Sequence, residues 1–199
     1  MIHRTEPGGS DTCKKSARGA AERLEEEPKA THPAHHSFAE AACFPYCVMS
    51  TPKPFVVADR VRWADVDLVR IMRFSAFTRL VEVAEQELMR AAGWSYAQIF
   101  DAPTIYLPRR HLSIEYFAPA RLDDELLLVT YVSRIGETSL TYNVDVRTAT
   151  DNTLVASAAW VAVCVTVESF TKCPLPEYLR QLMAPYVCSV ADARAWTPL

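Results

Sequence analysis

A chain of 199 residues, half of them apolar, is long enough for one ordinary domain with a buried core and one additional segment. Its net charge of −3 provides no general basic field, which argues against nucleic acid as the main partner. No apolar run reaches the roughly 18 residues that a membrane-spanning helix needs, so no membrane span is predicted.

Residues 1–54 differ from the rest of the chain. They are rich in proline and charge and show weak hydrophobic periodicity, which is typical of a disordered N-terminal extension. Their acidic run Glu25-Glu26-Glu27 argues against a transit peptide. Met49 lies just before the first predicted strand, so a domain that starts there would contain all of the regular pattern.

Cysteine and glycine spacing exclude the common cofactor motifs. The six cysteines form no CxxC pair, so we interpret them as free thiols. Free thiols are typical of the reducing cytosol, which predicts a cytoplasmic protein. Cys43 and Cys47 lie near three histidines, but without the spacing of a zinc site, so no metal is predicted. Only Gly93 and Gly136 follow residue 54, which leaves no P-loop or dinucleotide fingerprint and predicts no cofactor.

The pattern becomes regular at Phe55. A first strand is predicted over 55–64, a loop over 65–73 and a long helix from Phe74 to Ala92. One face of this helix is apolar at helical spacing, and Gly93 stands where a left-handed residue ends helices. The apolar face is formed by Phe77, Leu80, Val81, Ala84, Leu88 and Met89.

Four further strands are predicted in antiparallel succession, at 104–117, 125–135, 139–149 and 153–168. A short helix at 176–184 precedes a frayed C-terminal tail, 188–199. One long helix wrapped by a five-stranded antiparallel sheet is an α+β fold, and its domain covers 55–187.

The loop before the helix carries the candidate chemistry. Asp65 and Asp67 lie two positions apart, and the helix begins seven residues after Asp67. This layout can place a carboxylate beside the free N–H groups of a helix start. Attack on a thioester carbonyl needs both: a carboxylate that attacks or activates water, and donors for the oxyanion.

Three segments in this order resemble the hot-dog-fold acyl-CoA thioesterases of the 4-hydroxybenzoyl-CoA thioesterase type. They are Trp63-Ala64-Asp65-Val66-Asp67, the helix end Leu88–Gly93, and Pro119-Ala120-Arg121-Leu122-Asp123-Asp124. The resemblance covers residues 55–185 and implies a hot-dog fold and thioester hydrolysis, with CoA or an acyl-carrier protein supplying the thiol. It also implies a homodimer or homotetramer that forms through edge strands.

The resemblance also implies roles for individual residues. Asp67 is the catalytic carboxylate, acting as nucleophile or general base, and the amide of Phe74 polarises the carbonyl. Glu82 is a second catalytic candidate, because related enzymes use a helix carboxylate near this depth. Asp65 is expected to be structural, bonded to loop amides or paired with Arg62 or Arg73.

The loop departs from the family pattern at three positions. Arg70 replaces the usual Gly, Arg73 an aromatic residue and Ala76 an Asn. The two arginines could bind an anionic part of the substrate, or pair with Asp65 and Asp67. The substitutions also keep open the alternative of a non-hydrolytic hot-dog protein that binds acyl thioesters or lipids.

The predicted strand 104–117 offers further binding candidates. Arg109 and Arg110 suit the phosphates of CoA, although they could instead be a solvated strand edge, and His111 is expected to be structural. Three aromatic residues could line an acyl pocket or belong to the core: Tyr106, Phe117 and Trp160.

Overall fold

The computed structural model describes residues 53–96, 98 and 105–196, all within the unit Val48–Leu199. The predicted N-terminal extension therefore lies almost entirely outside the described residues. The described residues form seven strands: β1 (Phe55–Arg60), β2 (Ile105–Tyr106), β3 (Arg109–Tyr116), β4 (Glu125–Ile135), β5 (Ser139–Thr148), β6 (Leu154–Val163) and β7 (Val165–Thr166). The helices are α1 (Phe77–Ala91), α2 (Glu177–Met183) and α3 (Val190–Ala195), with 3₁₀ turns at Trp63–Asp65, Phe74–Ala76 and Ala184–Tyr186.

Five strands form an antiparallel sheet in the order β1-β4-β5-β6-β3, and β2 pairs with β7 in a separate two-stranded sheet. The predicted α+β fold with one long helix and a five-stranded antiparallel sheet is confirmed. The predicted succession is wrong at one point, because β3 pairs with β6 and so lies at the edge opposite β1. The strand predicted over 104–117 is also divided at Pro108, which has no N–H to donate.

Helix α1 packs the predicted apolar face into the core. All six predicted residues are buried, together with Glu85, which the apolar pattern did not include. Gly93 ends the helix with φ +90°, as its position predicted. The start differs by one turn, since Phe74–Ala76 forms a 3₁₀ turn that leads into α1.

The first strand is shorter than predicted. It ends at Arg60, and Trp63–Asp65 is a 3₁₀ turn that leaves Trp63 84% exposed. The apolar side chain of Trp63 thus belongs to the surface beside the loop and not to the sheet.

The segment predicted as a frayed tail contains α3. Ala193 on this helix is fully buried and packs with Tyr131 and Cys188 against the sheet. The arginine that follows, Arg194, reaches the buried Asp145 at 3.6 Å. The polar side of β5 is therefore covered by the C-terminal segment. No helix among the described residues is long and apolar enough to cross a membrane.

Candidate active site

A cleft of about 670 Å³ lies between the loop before α1 and the chain that follows β3. Asp67 and the segment 71–75 form one side, and the segment 116–120 forms the other. The cleft thus brings together Asp67 and Phe74, the two residues that the sequence predicted as a catalytic pair.

Asp67 begins a tight turn. Its N–H donates to the carbonyl of Ile71 at 3.0 Å, and its own carbonyl accepts the N–H of Arg70 at 3.0 Å. Its carboxylate Oδ1 accepts the N–H of Val69 at 2.9 Å, which fixes the side chain on its own loop. No described residue donates to Oδ2, so this oxygen is available to a substrate or a water molecule.

Arg70 has φ +64°, the left-handed conformation that glycine adopts most easily. The loop therefore keeps the backbone that the family's usual Gly allows, with an arginine in its place. The arginine is thus held in the Asp67 loop with a strained backbone, and its side chain is exposed.

Arg70→Gly is expected to leave the free energy of unfolding unchanged or raise it by up to about 1 kcal/mol. Relief of the left-handed strain exceeds or balances the entropy that the unfolded chain gains from glycine. The matched control is Val69→Gly, since Val69 is exposed in the same turn without positive φ; this change should cost about 1 kcal/mol. Urea unfolding of both variants measures the difference, and equal losses would contradict the strain.

The start of the helix provides hydrogen-bond donors in the cleft. Arg73 is extended, with ψ 144°, and the 3₁₀ turn at Phe74–Ala76 runs into α1. Within the described chain, the N–H groups of Phe74 and Ser75 have no acceptor, as expected for the first residues of a helix. Both residues line the cleft with Asp67, so the residues that carry unbonded donors and a carboxylate border the same space.

Tyr116 was missed by the sequence analysis. Its ring packs edge-on against Phe77 with centroids 5.0 Å apart, and its hydroxyl donates to the carbonyl of Phe74 at 3.3 Å. Phe117, for which the sequence left pocket and core as alternatives, lines the cleft beside it. The available signal was position alone, because the two residues lie three and two positions before Pro119.

Asp65 is buried and lies outside the cleft lining. Its carboxylate accepts two bonds from Arg79 of α1, at 3.1 and 2.5 Å, and one from the N–H of Arg62. The same guanidinium also binds Asp59 of β1 at 2.5 Å. The expectation of a structural role agrees with this geometry, but the side-chain partner is Arg79 instead of Arg62 or Arg73.

Burial raises the pKa of Asp65, but the Arg79 hydrogen bond, the Arg62 N–H and both guanidinium charges outweigh it and lower the pKa below its ordinary value. The pKa of Asp59 is lowered in the same way, against the effect of burial, by the Arg60 N–H and by Arg79 and Arg62.

These directions predict an acid limit to stability. A carboxyl whose pKa is lower in the folded state binds protons more weakly than in the unfolded state, so its stabilisation is present above about pH 4 and is lost as the pH falls through the folded pKa. Asp65→Asn should therefore show a shallower loss of Tm below pH 4 than the wild-type chain. Thermal unfolding from pH 3 to 7 measures this, and parallel curves would contradict the assignment.

Arg70 and Arg73 do not pair with the loop carboxylates. In the described part of the chain, no carboxylate lies within ion-pair distance of either guanidinium, and that of Arg73 donates to the carbonyl of Ala64. Arg73 lines the cleft and Arg70 is exposed beside it. The charge of Arg73 is thus available in the cleft, and the exposed Arg70 directly precedes the cleft-lining Ile71.

Glu85 is the buried carboxylate of α1, at 4% exposed, whereas Glu82 is exposed and does not line the cleft. Glu85 accepts bonds from the Tyr96 hydroxyl at 2.6 Å, the Trp160 Nε1–H at 3.0 Å and the Arg109 guanidinium. Burial raises the pKa of Tyr96, and Glu85 raises it further.

The other predicted binding residues lie elsewhere. Arg109 is bonded to Glu85 and is not among the residues that line the cleft. Burial lowers the pKa of Arg109, but the bond and the charge of Glu85 outweigh burial and raise this pKa above its ordinary value. Arg110 and His111 are exposed on the edge strand β3. Trp160 is buried in the core, and Tyr106 packs against Phe170. Within the described residues, no group of three His, Cys, Asp or Glu side chains could hold a metal ion.

Comparison with known proteins agrees with this geometry. The profile of the thioesterase-like superfamily matches residues 61–183. The chain belongs to the thioesterase-like superfamily. The matched range includes the Asp67 loop, α1 and the whole sheet apart from β1.

Individual relatives point the same way. The acyl-CoA thioester hydrolase YbgC of Escherichia coli is 30% identical over 106 residues, which are 53% of this chain and 78% of the relative. The 1,4-dihydroxy-2-naphthoyl-CoA hydrolase of Synechocystis is 26% identical over 62% of this chain and 89% of its own length. The crystal structure of a 1,4-dihydroxy-2-naphthoyl-CoA thioesterase from Synechocystis superimposes with a TM-score of 0.62 at 25% identity, covering 65% of this chain and 95% of that one. These matches confirm the resemblance to hot-dog acyl-CoA thioesterases and the prediction of a thioester hydrolase.

Proposed function

We propose that this chain hydrolyses acyl-CoA or acyl-carrier-protein thioesters in the cleft, with Asp67 as the catalytic carboxylate. The observation that carries the proposal is the shared cleft of Asp67 and the unbonded N–H groups at the start of α1. A carboxylate with one free oxygen and a preorganised pair of donors is the combination that acyl transfer to water requires.

The chemistry has two routes that use the same groups. As general base, Asp67 accepts a proton from water while the water oxygen bonds to the carbonyl carbon. As nucleophile, Asp67 bonds to that carbon itself and forms an anhydride that water then hydrolyses. In both routes the N–H of Phe74 stabilises the oxyanion, the C–S bond breaks, and the thiolate leaves and takes up a proton.

The lining of the cleft favours a substrate with an apolar acyl group and a negatively charged group close to it. Phe74, Tyr116 and Phe117 provide aromatic walls, and Arg73 provides a cation at the same cleft. The phosphates of CoA or of a phosphopantetheine arm, or an anionic acyl group, would bind this charge. The aromatic ester 1,4-dihydroxy-2-naphthoyl-CoA, named for the Synechocystis relative, is compatible with such a pocket.

We also propose that the chain acts as a homodimer or homotetramer. The edge strand β3 is exposed along almost its whole length, so its backbone can pair with a second copy. Large apolar side chains are exposed near the cleft, including Phe74, Tyr116 and Phe117. A second copy would cover this apolar surface and complete the pocket.

A hydrolysis panel tests the proposed function. The full chain is incubated with short, long and aromatic acyl-CoAs and with acyl-carrier proteins, and release of free thiol is measured. Turnover that exceeds the uncatalysed rate for at least one ester supports the proposal. Binding of acyl-CoA without thiol release would instead favour the non-hydrolytic alternative.

Arg70→Gly combined with Arg73→Tyr should shift substrate preference toward neutral acyl-CoAs. The double change removes one cation that lines the cleft, Arg73, and one that directly precedes the cleft-lining Ile71, so KM should rise about 10-fold for substrates whose charge they bind, with a smaller change in kcat. The control Arg134→Gln removes an exposed cation outside the cleft lining and should alter neither constant. An unchanged ratio of kcat/KM for neutral and anionic esters would contradict a binding role for these arginines.

A further inference from the structure

Asp65 connects the two ends of the catalytic loop. Its N–H donates to the carbonyl of Arg62 at 2.9 Å, and its carboxylate accepts the N–H of Arg62 at 2.9 Å. Its carbonyl accepts the N–H of Arg73 at 2.8 Å. One residue therefore holds the chain before Asp67 and the chain directly before Phe74.

Arg79 fixes Asp65 to the helix. The guanidinium binds both carboxylate oxygens, Nε to Oδ1 at 3.1 Å and Nη2 to Oδ2 at 2.5 Å. Such a two-bond contact sets orientation as well as distance. Asp65 is 4% exposed, so its carboxylate is shielded from water, while the Arg79 side chain is half-buried.

The two sets of bonds converge on the candidate catalytic groups. Asp67 follows Asp65 by two residues, and Phe74 follows Arg73 directly. Arg79 lies on α1, the helix whose first turn continues from Phe74. A shift of Asp65 would therefore move the carboxylate and the oxyanion donor relative to each other.

We infer that Asp65, held by Arg79, is a positioning residue that sets the distance between the Asp67 carboxylate and the Phe74 N–H. This inference rests on the proposed function. Asp65 does not line the cleft and so acts through its neighbours. The competing explanation is that the ion pair only stabilises the fold.

Asp65→Asn tests the inference, with Asp59→Asn as its matched control. Both changes remove one carboxylate partner of the same guanidinium. Asp59 also accepts from the Arg60 N–H and the Arg62 guanidinium, but unlike Asp65 it bonds neither the Arg62 backbone nor the N–H of Arg73. Asp65→Asn should lower kcat by ~10- to ~100-fold with KM within about twofold, because a displacement near 1 Å has an effect of this size. Asp59→Asn should keep kcat within about twofold when both variants are assayed equally far below their own Tm.

Amide hydrogen exchange provides a readout that does not depend on activity. The N–H of Arg73 should exchange about 10-fold faster in Asp65→Asn than in Asp59→Asn, because only the first change loosens its acceptor. Arg79→Lys, which keeps the charge but not the two-bond contact, should reproduce both effects and serves if Asp65→Asn does not fold.

Equal kcat losses in Asp65→Asn and Asp59→Asn, with equal exchange at Arg73, would overturn the inference. Failure of the proposed function has a different signature. If Asp67→Asn retains wild-type kcat, the catalytic assignment is wrong. The exchange comparison then decides alone: faster exchange at Arg73 supports positioning of the loop by Asp65, and unchanged exchange overturns it.

Discussion

Asp67→Asn is expected to lower kcat for acyl-CoA hydrolysis at least ~100-fold, since a carboxylate that acts as base or nucleophile commonly contributes that much. The fold should survive. Asparagine keeps the Oδ1 that accepts the Val69 N–H and is well tolerated in such turns, so the free energy of unfolding should change by less than about 0.5 kcal/mol. Steady-state kinetics and urea unfolding of the same preparations measure both quantities.

Asp123→Asn is the matched control for Asp67→Asn. Asp123 is an exposed loop aspartate outside the cleft lining, and its φ of +70° suits asparagine. This variant should keep both kcat and Tm. If Asp67→Asn also keeps its kcat, Asp67 is not the catalytic group, and Glu82, the second catalytic candidate from the sequence, is the next residue to replace although it is exposed and lies outside the cleft lining.

Most of the fold was predictable from hydrophobic periodicity. The apolar face of α1 and the bounds of β4 agree with the sequence analysis, because both elements have strong and uninterrupted patterns. The position of β3 was not predictable in the same way. Strand order depends on pairing between residues far apart in the chain, such as Leu112 with Trp160.

The candidate site shows a similar division. A local motif identified the Asp67 loop and the helix start, because their chemistry lies within ten residues. The partners of the charged residues were assigned less well. Arg79 binds two aspartates 14 and 20 residues earlier, and Arg109 binds a glutamate 24 residues earlier, so these contacts follow from the packing of α1 on the sheet.

The sequence also contained an unused signal for Glu85. This residue lies four positions after Val81 and three before Leu88, so helical spacing places it on the apolar face. A carboxylate at such a position needs buried donors, and the structure supplies them from Tyr96, Arg109 and Trp160.

Glu85→Ala is expected to lower the free energy of unfolding by about 3 kcal/mol. Removing one partner of a buried pair leaves the other charge without compensation, and the Trp160 N–H loses its acceptor at the same time. The Arg109 side chain is 42% exposed and can recover some hydration, which places the loss at the low end for buried pairs. Urea unfolding with a fixed m-value measures the change.

Two further variants serve as controls for Glu85→Ala: one removes an exposed carboxylate, and the other removes the charge of Glu85 but keeps its side-chain volume. Glu82→Ala removes an exposed carboxylate from the same helix and should change the free energy of unfolding by less than about 0.5 kcal/mol. Glu85→Gln keeps an acceptor for Trp160 but leaves Arg109 without a counter-charge, so its loss should fall between the two alanine variants. A loss below about 1 kcal/mol for Glu85→Ala would contradict the view that this cluster holds α1 against the sheet.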